Sequence, residues 1–338
     1  MTCQLAYIRG VRVRLLKLAL GAAALAAALL TDLTVGASGM SPADVVSALM
    51  AGPGGDSLTG VIIWSIRLPM TLTALCVGFA LALAGLGIQV ITGNPLASPS
   101  TLGITSAAGF GAASAISFGA AVGGALWIGT ALSAFAAALL VSAAIYRLGS
   151  LRGMRPSTLI LSGIVMNFFF MALQQYLQYS ASPEVAQLIS GWTFGNLEKS
   201  TWVSAGAAGL LYFIRRVWAL TALTVGEERA ASLGVPVRRL RLETFALASF
   251  LIAAAVGFIG TVGFVGLVAP HLARLVIGED QRFLIPATLL AGGTLMLAGS
   301  VTAKLLTVGA MLPVGIITSL VGVPFLLVLL IRDRGGDL

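Results

Sequence analysis

The sequence predicts an all-α integral membrane protein: one polytopic domain over 1–338, about ten transmembrane helices, cytoplasmic N and C termini, and short helices in the cytoplasmic loops. Three observations carry this expectation. Hydrophobic residues make up 58% of the chain and charged residues 9%, with a mean hydropathy of +1.01, too few charges to coat a soluble protein of this length. Apolar stretches of bilayer-spanning length, about 20 residues, recur from Leu15 to Ile331. Basic residues gather in alternate loops. With the N terminus inside and ten spans, only Arg67, Lys199 and Lys304 of the 20 Lys and Arg residues lie outside, as the positive-inside rule requires. The net charge of +8 is therefore read as topology, and no nucleic-acid partner is expected.

The expected spans follow in order. The first, 15–36, has the basic flank Arg9, Arg12, Arg14 and Lys17. That flank also suits a secretory signal, but the run continues through Thr31–Ala37 and is long enough to cross, so an uncleaved helix is expected. Then come 61–91, 100–119, 122–146, 157–180, 201–218, 244–262, 264–277, 283–306 and 313–331. The segment 264–277 is short for a crossing. It is expected to form a bent or partly re-entrant pair with 244–262, which is tolerated only where protein covers the backbone. The chain has 41 glycines, many within spans, and two readings stand for them. They bring helix backbones together, or they form a thin-walled pathway whose helices slide.

Three loops break the pattern. Gly93-Asn94-Pro95-Leu96-Ala97-Ser98-Pro99 carries no charge, and its Asn and two prolines specify a rigid turn that plugs or lines a pore mouth. Arg155-Pro156-Ser157-Thr158 is a second proline turn, where Ser157 or Thr158 is expected to cap the next helix. The stretch Arg215–Glu243 holds nine charged groups. Within its loop, about 223–242, Glu227 and Glu228 suit a first helical turn, and Ala230, Ala231 and Leu233 give an apolar side. Gly234 suits the stop and Pro236 blocks continuation, so a short amphipathic helix is expected before a second basic segment, Arg238–Arg241. It lies on anionic lipid or fits a groove on a cytoplasmic partner.

Enzyme chemistry is not expected. None of Lys17, Lys199 and Lys304 follows a glycine, so a phosphate-binding loop of the Gly-Lys-Ser/Thr type is absent. His271 is the sole histidine and is read as a packing residue; Cys3 and Cys76 imply neither disulfide nor metal. Span centres read as nearly free of ionisable groups, which argues against ion coupling. The polar groups left for a pathway include Gln89, Asn167, Gln174 and Gln178.

These residues resemble a known family. Ile66-Arg67-Leu68-Pro69, Gly78 through Gly85 with Gln89, and Asn94 through Gly103 are similar to the second and third helices of the iron-siderophore/vitamin B12 importer permeases. Gly226 to Val235 resembles their coupling loop, and Gly263 to Arg274 and Leu312 to Phe325 resemble their C-terminal signatures. The resemblance implies a type II ABC importer permease for a ferric siderophore or related iron chelate, with haem and cobalamin as alternatives. An ion-coupled secondary transporter is the rival of another class, and a structural scaffold a third. The implied partners are a second permease copy, two ATPase subunits, an external substrate-binding protein and the bilayer. The ATPases use ATP and Mg, and the chain binds no cofactor of its own. The resemblance assigns coupling to Gly226, Glu227, Ala230, Leu233, Gly234 and Val235, and cytoplasmic gating to Asn94, Pro95, Leu96, Pro156 and Ser157. Arg67 and Lys304 are expected on the outer face, docking the binding protein, although Met70, Ser300 and Lys304 depart from residues common in the family.

Overall fold

The computed structural model describes residues 2–36, 39–53, 57–121, 125–197, 206–306 and 312–332. Every element among them is a helix: α1 (Thr2–Thr34), α2 (Pro42–Ala51), α3 (Leu58–Ile62), a π-helical turn (Ile63–Arg67), α4 (Leu68–Thr92), α5 (Ile104–Ser117), α6 (Leu126–Leu151), α7 (Pro156–Ser180), α8 (Pro183–Thr193), α9 (Gly206–Thr224), α10 (Glu227–Ser232), α11 (Val237–Ile259), α12 (Val265–Ile277), α13 (Gln281–Leu306) and α14 (Val314–Arg332). Each expected span meets a helix. For 201–218, residues 201–205 lie outside the described residues.

By length and apolarity, six described segments can cross a bilayer: α1, the continuous rod α3–α4, α6, α7, α11 and α13. Of the ten expected spans, six thus meet helices of crossing length and the others meet shorter helices among the described residues. α5 has 14 residues and α12 has 13, and each begins at a left-handed cap: Gly103 at φ 69° and Phe264 at φ 66°. A left-handed phenylalanine is strained. Its ring sits directly against Gly322, where a Cβ has no room. The break Gly260–Phe264 separates α11 from the short α12, in line with the expected bend.

α4 is the axle. It packs against α9, α11, α12 and α13, and 83% of its apolar window is buried, against 11% for α7 and none for α1. Small residues permit this. A Cβ on Gly78 would stand 2.5 Å from the Gly292 carbonyl oxygen of α13, and Gly85 lies against the backbone of Gly266 in α12. With lipid outside, such backbone contact replaces the hydrophobic drive that helices lack in a bilayer. α5 sits between α6 and α7, and α1 lies along α13 at the edge.

Two boundaries differ from expectation. Arg215 and Arg216 belong to α9, and Arg238–Arg241 form the first turns of α11 instead of a separate basic segment. The apolar face of α11 starts at Val237 and Leu240, both buried, so the helix begins before the charges end. Neither Ser157 nor Thr158 caps α7, because Pro156 itself takes the first turn after Arg155 and both hydroxyls fall inside the helix.

Candidate functional site

The short helix α10 is built as its residues dictate. Glu227 and Glu228 occupy the first turn after Gly226, at φ 122°. Gly234, at φ 79°, donates to Ala231 O at 2.9 Å, and Val235 donates to Ala230 O at 3.0 Å, the paired bonds of a Schellman stop. Ala230 is fully buried, whereas Leu233 is 65% exposed. The helix is thus pinned on one side and presents Glu228 and Leu233 on the other.

The Asn94 turn follows the end of α4. Gly93, at φ 60°, closes the helix, and Asn94 Oδ1 accepts from the Leu96 amide at 2.8 Å. Pro95 and Leu96 are exposed and Asn94 half-buried, with no charged side chain in the turn. Beyond it, Thr101–Gly103 abut α7. A Cβ on Gly163 would stand 2.6 Å from Leu102 Cα, and one on Gly103 would stand 2.6 Å from the Asn167 amide nitrogen. Pro156 and Ser157 start this same helix α7.

A cavity of about 900 Å³ opens above this turn. Ser100, Thr105 and Ser106 line it from the turn and α5, Gln174, Gln175 and Gln178 from α7, and Thr193, Thr261 and Ser319 from the facing segments. Among the described residues, none that lines it is charged. Gln174 donates to Thr193 Oγ1 at 2.9 Å and Gln178 to Ser190 Oγ at 2.7 Å, so both amides are oriented by α8. Asn167 accepts from the hydroxyl of Ser106, a lining residue, and so acts one layer back.

Gln89 does not join this wall. It is 2% exposed, receives Arg274 Nη1 at 2.6 Å on its Oε1, and donates to Leu267 O at 3.4 Å. It clasps α12 to α4, because an amide has both a donor and an acceptor to satisfy when buried. His271 packs edge-on to Phe325, with ring centroids 5.9 Å apart.

Arg67 and Lys304 were expected as exposed docking charges; Arg67 is buried and Lys304 half-buried. Arg67 is 5% exposed and donates from Nη1 to Leu33 O at 2.6 Å and Thr34 O at 2.8 Å. Lys304 Nζ bonds Asp32 Oδ1 at 2.7 Å and Asp32 O at 2.8 Å. Both cations close the carbonyl end of α1, which otherwise has orphan acceptors and a negative dipole end. The sequence reading missed Asp32, which is fully buried and also accepts from Thr71 Oγ1 at 2.5 Å. The available signal was a lone carboxylate within an apolar span in a chain that also places Arg67 and Lys304 on that side. Lys199 lies outside the described residues.

A model of the FecCD transport family matches residues 24–332, so the chain belongs to that family, and it is a multi-pass membrane permease of an ABC importer. It is 38% identical over 284 residues to the cobalamin import system permease of Halobacterium salinarum, covering 81% of this chain and 74% of that one. It is 35% identical over 288 residues to the iron(3+)-hydroxamate import system permease of Bacillus subtilis, covering 81% and 72%. Among solved structures, an inward-facing metal-chelate type ABC transporter superposes with a TM-score of 0.78 at 31% identity, covering 93% of this chain and 98% of the other. As in its family, this subunit is a membrane permease and the ATPase is a separate partner.

Proposed function

We propose that this permease carries a ferric siderophore or related iron chelate into the cell by alternating access. The observation that carries the reading is the cavity of about 900 Å³ whose described lining sets amide and hydroxyl groups among apolar side chains and holds no charge. A bare cation or a small oxyanion needs compensating charge to leave water. A chelate has already neutralised its metal and needs only volume and amide or hydroxyl partners. The hydroxamate relative and the metal-chelate neighbour agree with this class.

In this mechanism the α10 end is cytoplasmic, and α10 with Leu233 docks one ATPase subunit. A second copy of the chain closes the cavity along the exposed face of α7, and an external binding protein delivers the substrate. The turns at Asn94–Leu96 and Pro156–Ser157 form the cytoplasmic gate. ATP and Mg act in the partner subunits. Arg67, buried, and Lys304, turned inward onto Asp32, are not part of the docking surface proposed here. The ion-coupled rival needs an accessible carboxylate on the pathway. Asp32, sealed by Lys304 and Thr71 away from the cavity lining, does not serve as one.

The test is uptake in proteoliposomes holding the complex purified with its ATPase. Ferric hydroxamate chelate is expected to accumulate with ATP, and free ferric ion and molybdate are not. The cobalamin relative supplies the second reading. Accumulation of cobalamin with none of the ferric chelate selects it and overturns the first. Uptake driven by a proton gradient without ATP overturns both.

A further inference from the structure

We propose that Arg241 is the positioning residue that ties movement of α10 to the Asn94–Leu96 turn. The inference rests on the reading of α10 as the ATPase-docking element. Arg241 lies in the first turns of α11 and is 5% exposed. Its guanidinium is held at two points on two other elements. Nη2 donates to Glu227 Oε2, the first residue of α10, at 2.9 Å. Nε donates to Ile91 O, in the last turn of α4, at 3.1 Å. Ile91 stands three residues before Asn94, and the Asn94 amide is itself bonded back to Gln89 O at 3.2 Å. The gate turn is therefore rooted in the turn of helix that Arg241 grips.

A guanidinium is planar and conjugated, with its donors in fixed relation. A displacement of Glu227 is passed to the Ile91 carbonyl instead of being absorbed in side-chain torsions. The neighbouring arginines are placed differently. Arg216 and Arg239 both end on Glu243, and Arg238 reaches Ser150 O on α6. Arg274 holds Gln89 from α12 and pairs with Glu279, neither of them on α10. Arg241 alone among these joins α10 to α4. Stability does not account for the pair well, since the Glu227 side chain is 56% exposed and an exposed partner adds little.

Arg241→Lys keeps charge and length, but a single ammonium cannot hold both anchors in fixed relation. The complex of the full chain with its ATPase is spin-labelled at Leu96→Cys and Leu151→Cys in a Cys3→Ser/Cys76→Ala background. Distances are read with and without ATP and vanadate. Wild-type Arg241 is expected to give a nucleotide-dependent shift. R241K is expected to hydrolyse ATP in an assembled complex while the shifted fraction falls roughly fivefold or more, the lower range of measured site-to-site couplings. An undiminished shift in R241K overturns the proposal. Should R241K fail to assemble, Glu227→Ala removes the acceptor and cuts only the α10 arm, and an undiminished shift per assembled complex there overturns it equally. Failure of the wild-type chain to capture an ATPase overturns the permease reading itself. Capture with an Arg241-independent gate overturns only the relay.

Discussion

Where α1 stops, the charged side chains Asp32, Arg67 and Lys304 have little contact with solvent; at the opposite end, the bridges Arg241–Glu227, Arg274–Glu279 and Asp280–Arg282 each leave one partner mostly in water. The side chains of Lys304 and Asp32 are 9% and 0% exposed. Those of Arg241 and Glu227 are 7% and 56%, those of Arg274 and Glu279 14% and 69%, and those of Asp280 and Arg282 17% and 54%. A sealed pair is expensive to open because both ions are left uncompensated in low dielectric. A half-open pair strands one ion at most. The first arrangement fixes α1, α4 and α13 together. The second allows α10 and the end of α4 to shift and re-form their contacts.

The contrast is broken most severely at Asp32. Asp32→Asn leaves Lys304 buried without its counter-charge, and a loss of about 3–5 kcal/mol is expected, read as a lowered melting temperature in detergent. A melting temperature equal to wild type would mean that the sealed end is open in solution. Next is Leu233→Asp, on the exposed side of α10. Affinity for the ATPase is expected to fall by about 2 kcal/mol or more, roughly 30-fold. Stability should change by no more than about 0.5 kcal/mol, so pull-down and thermal melting must diverge. If they fall together, α10 belongs to the core.

Asn94→Ala removes the acceptor that closes the Asn94–Leu96 turn on the Leu96 amide. A loss of about 1 kcal/mol from the turn is expected, seen as faster amide exchange at Leu96 with transport leakier in the absence of ATP. The smallest effect is at Asp280, whose carboxyl titrates below the usual carboxylate range, chiefly because the Arg282 side chain donates to it, with Arg14 assisting. A lowered folded-state pKa gives stability that is present above the ordinary carboxylate range and lost as pH falls through the lowered value. The acid limb of the melting profile should therefore flatten in Asp280→Asn, and an unchanged limb would assign it to another carboxylate.

The short helix was legible because every signal is local. Glu227, Gly234 and Pro236 act within two turns of chain, and the Schellman bonds form where the glycine demanded them. The uncharged Asn94 turn was legible for the same reason. The burial of Gln89 was not legible because it depends on α12 and Arg274, residues 178 to 185 positions away. The inward orientation of Arg67 and Lys304 was not legible because topology says which side a charge occupies but not which way it points. Their partners on α1 are 34 and 272 positions distant.

Composition and hydrophobic runs by themselves determined a helical membrane protein, a helix for each apolar run with most ends placed to within about a turn, and the absence of a phosphate-binding loop. Those properties follow from residue type and from periods of a few residues. The tertiary structure alone decided which polar groups face the cavity, which charges are sealed and which are half in water, and that Arg241 joins α10 to α4. The reason is physical: a side chain's role is set by what lies within hydrogen-bond reach, and in a bundle of long helices those partners come from distant parts of the chain.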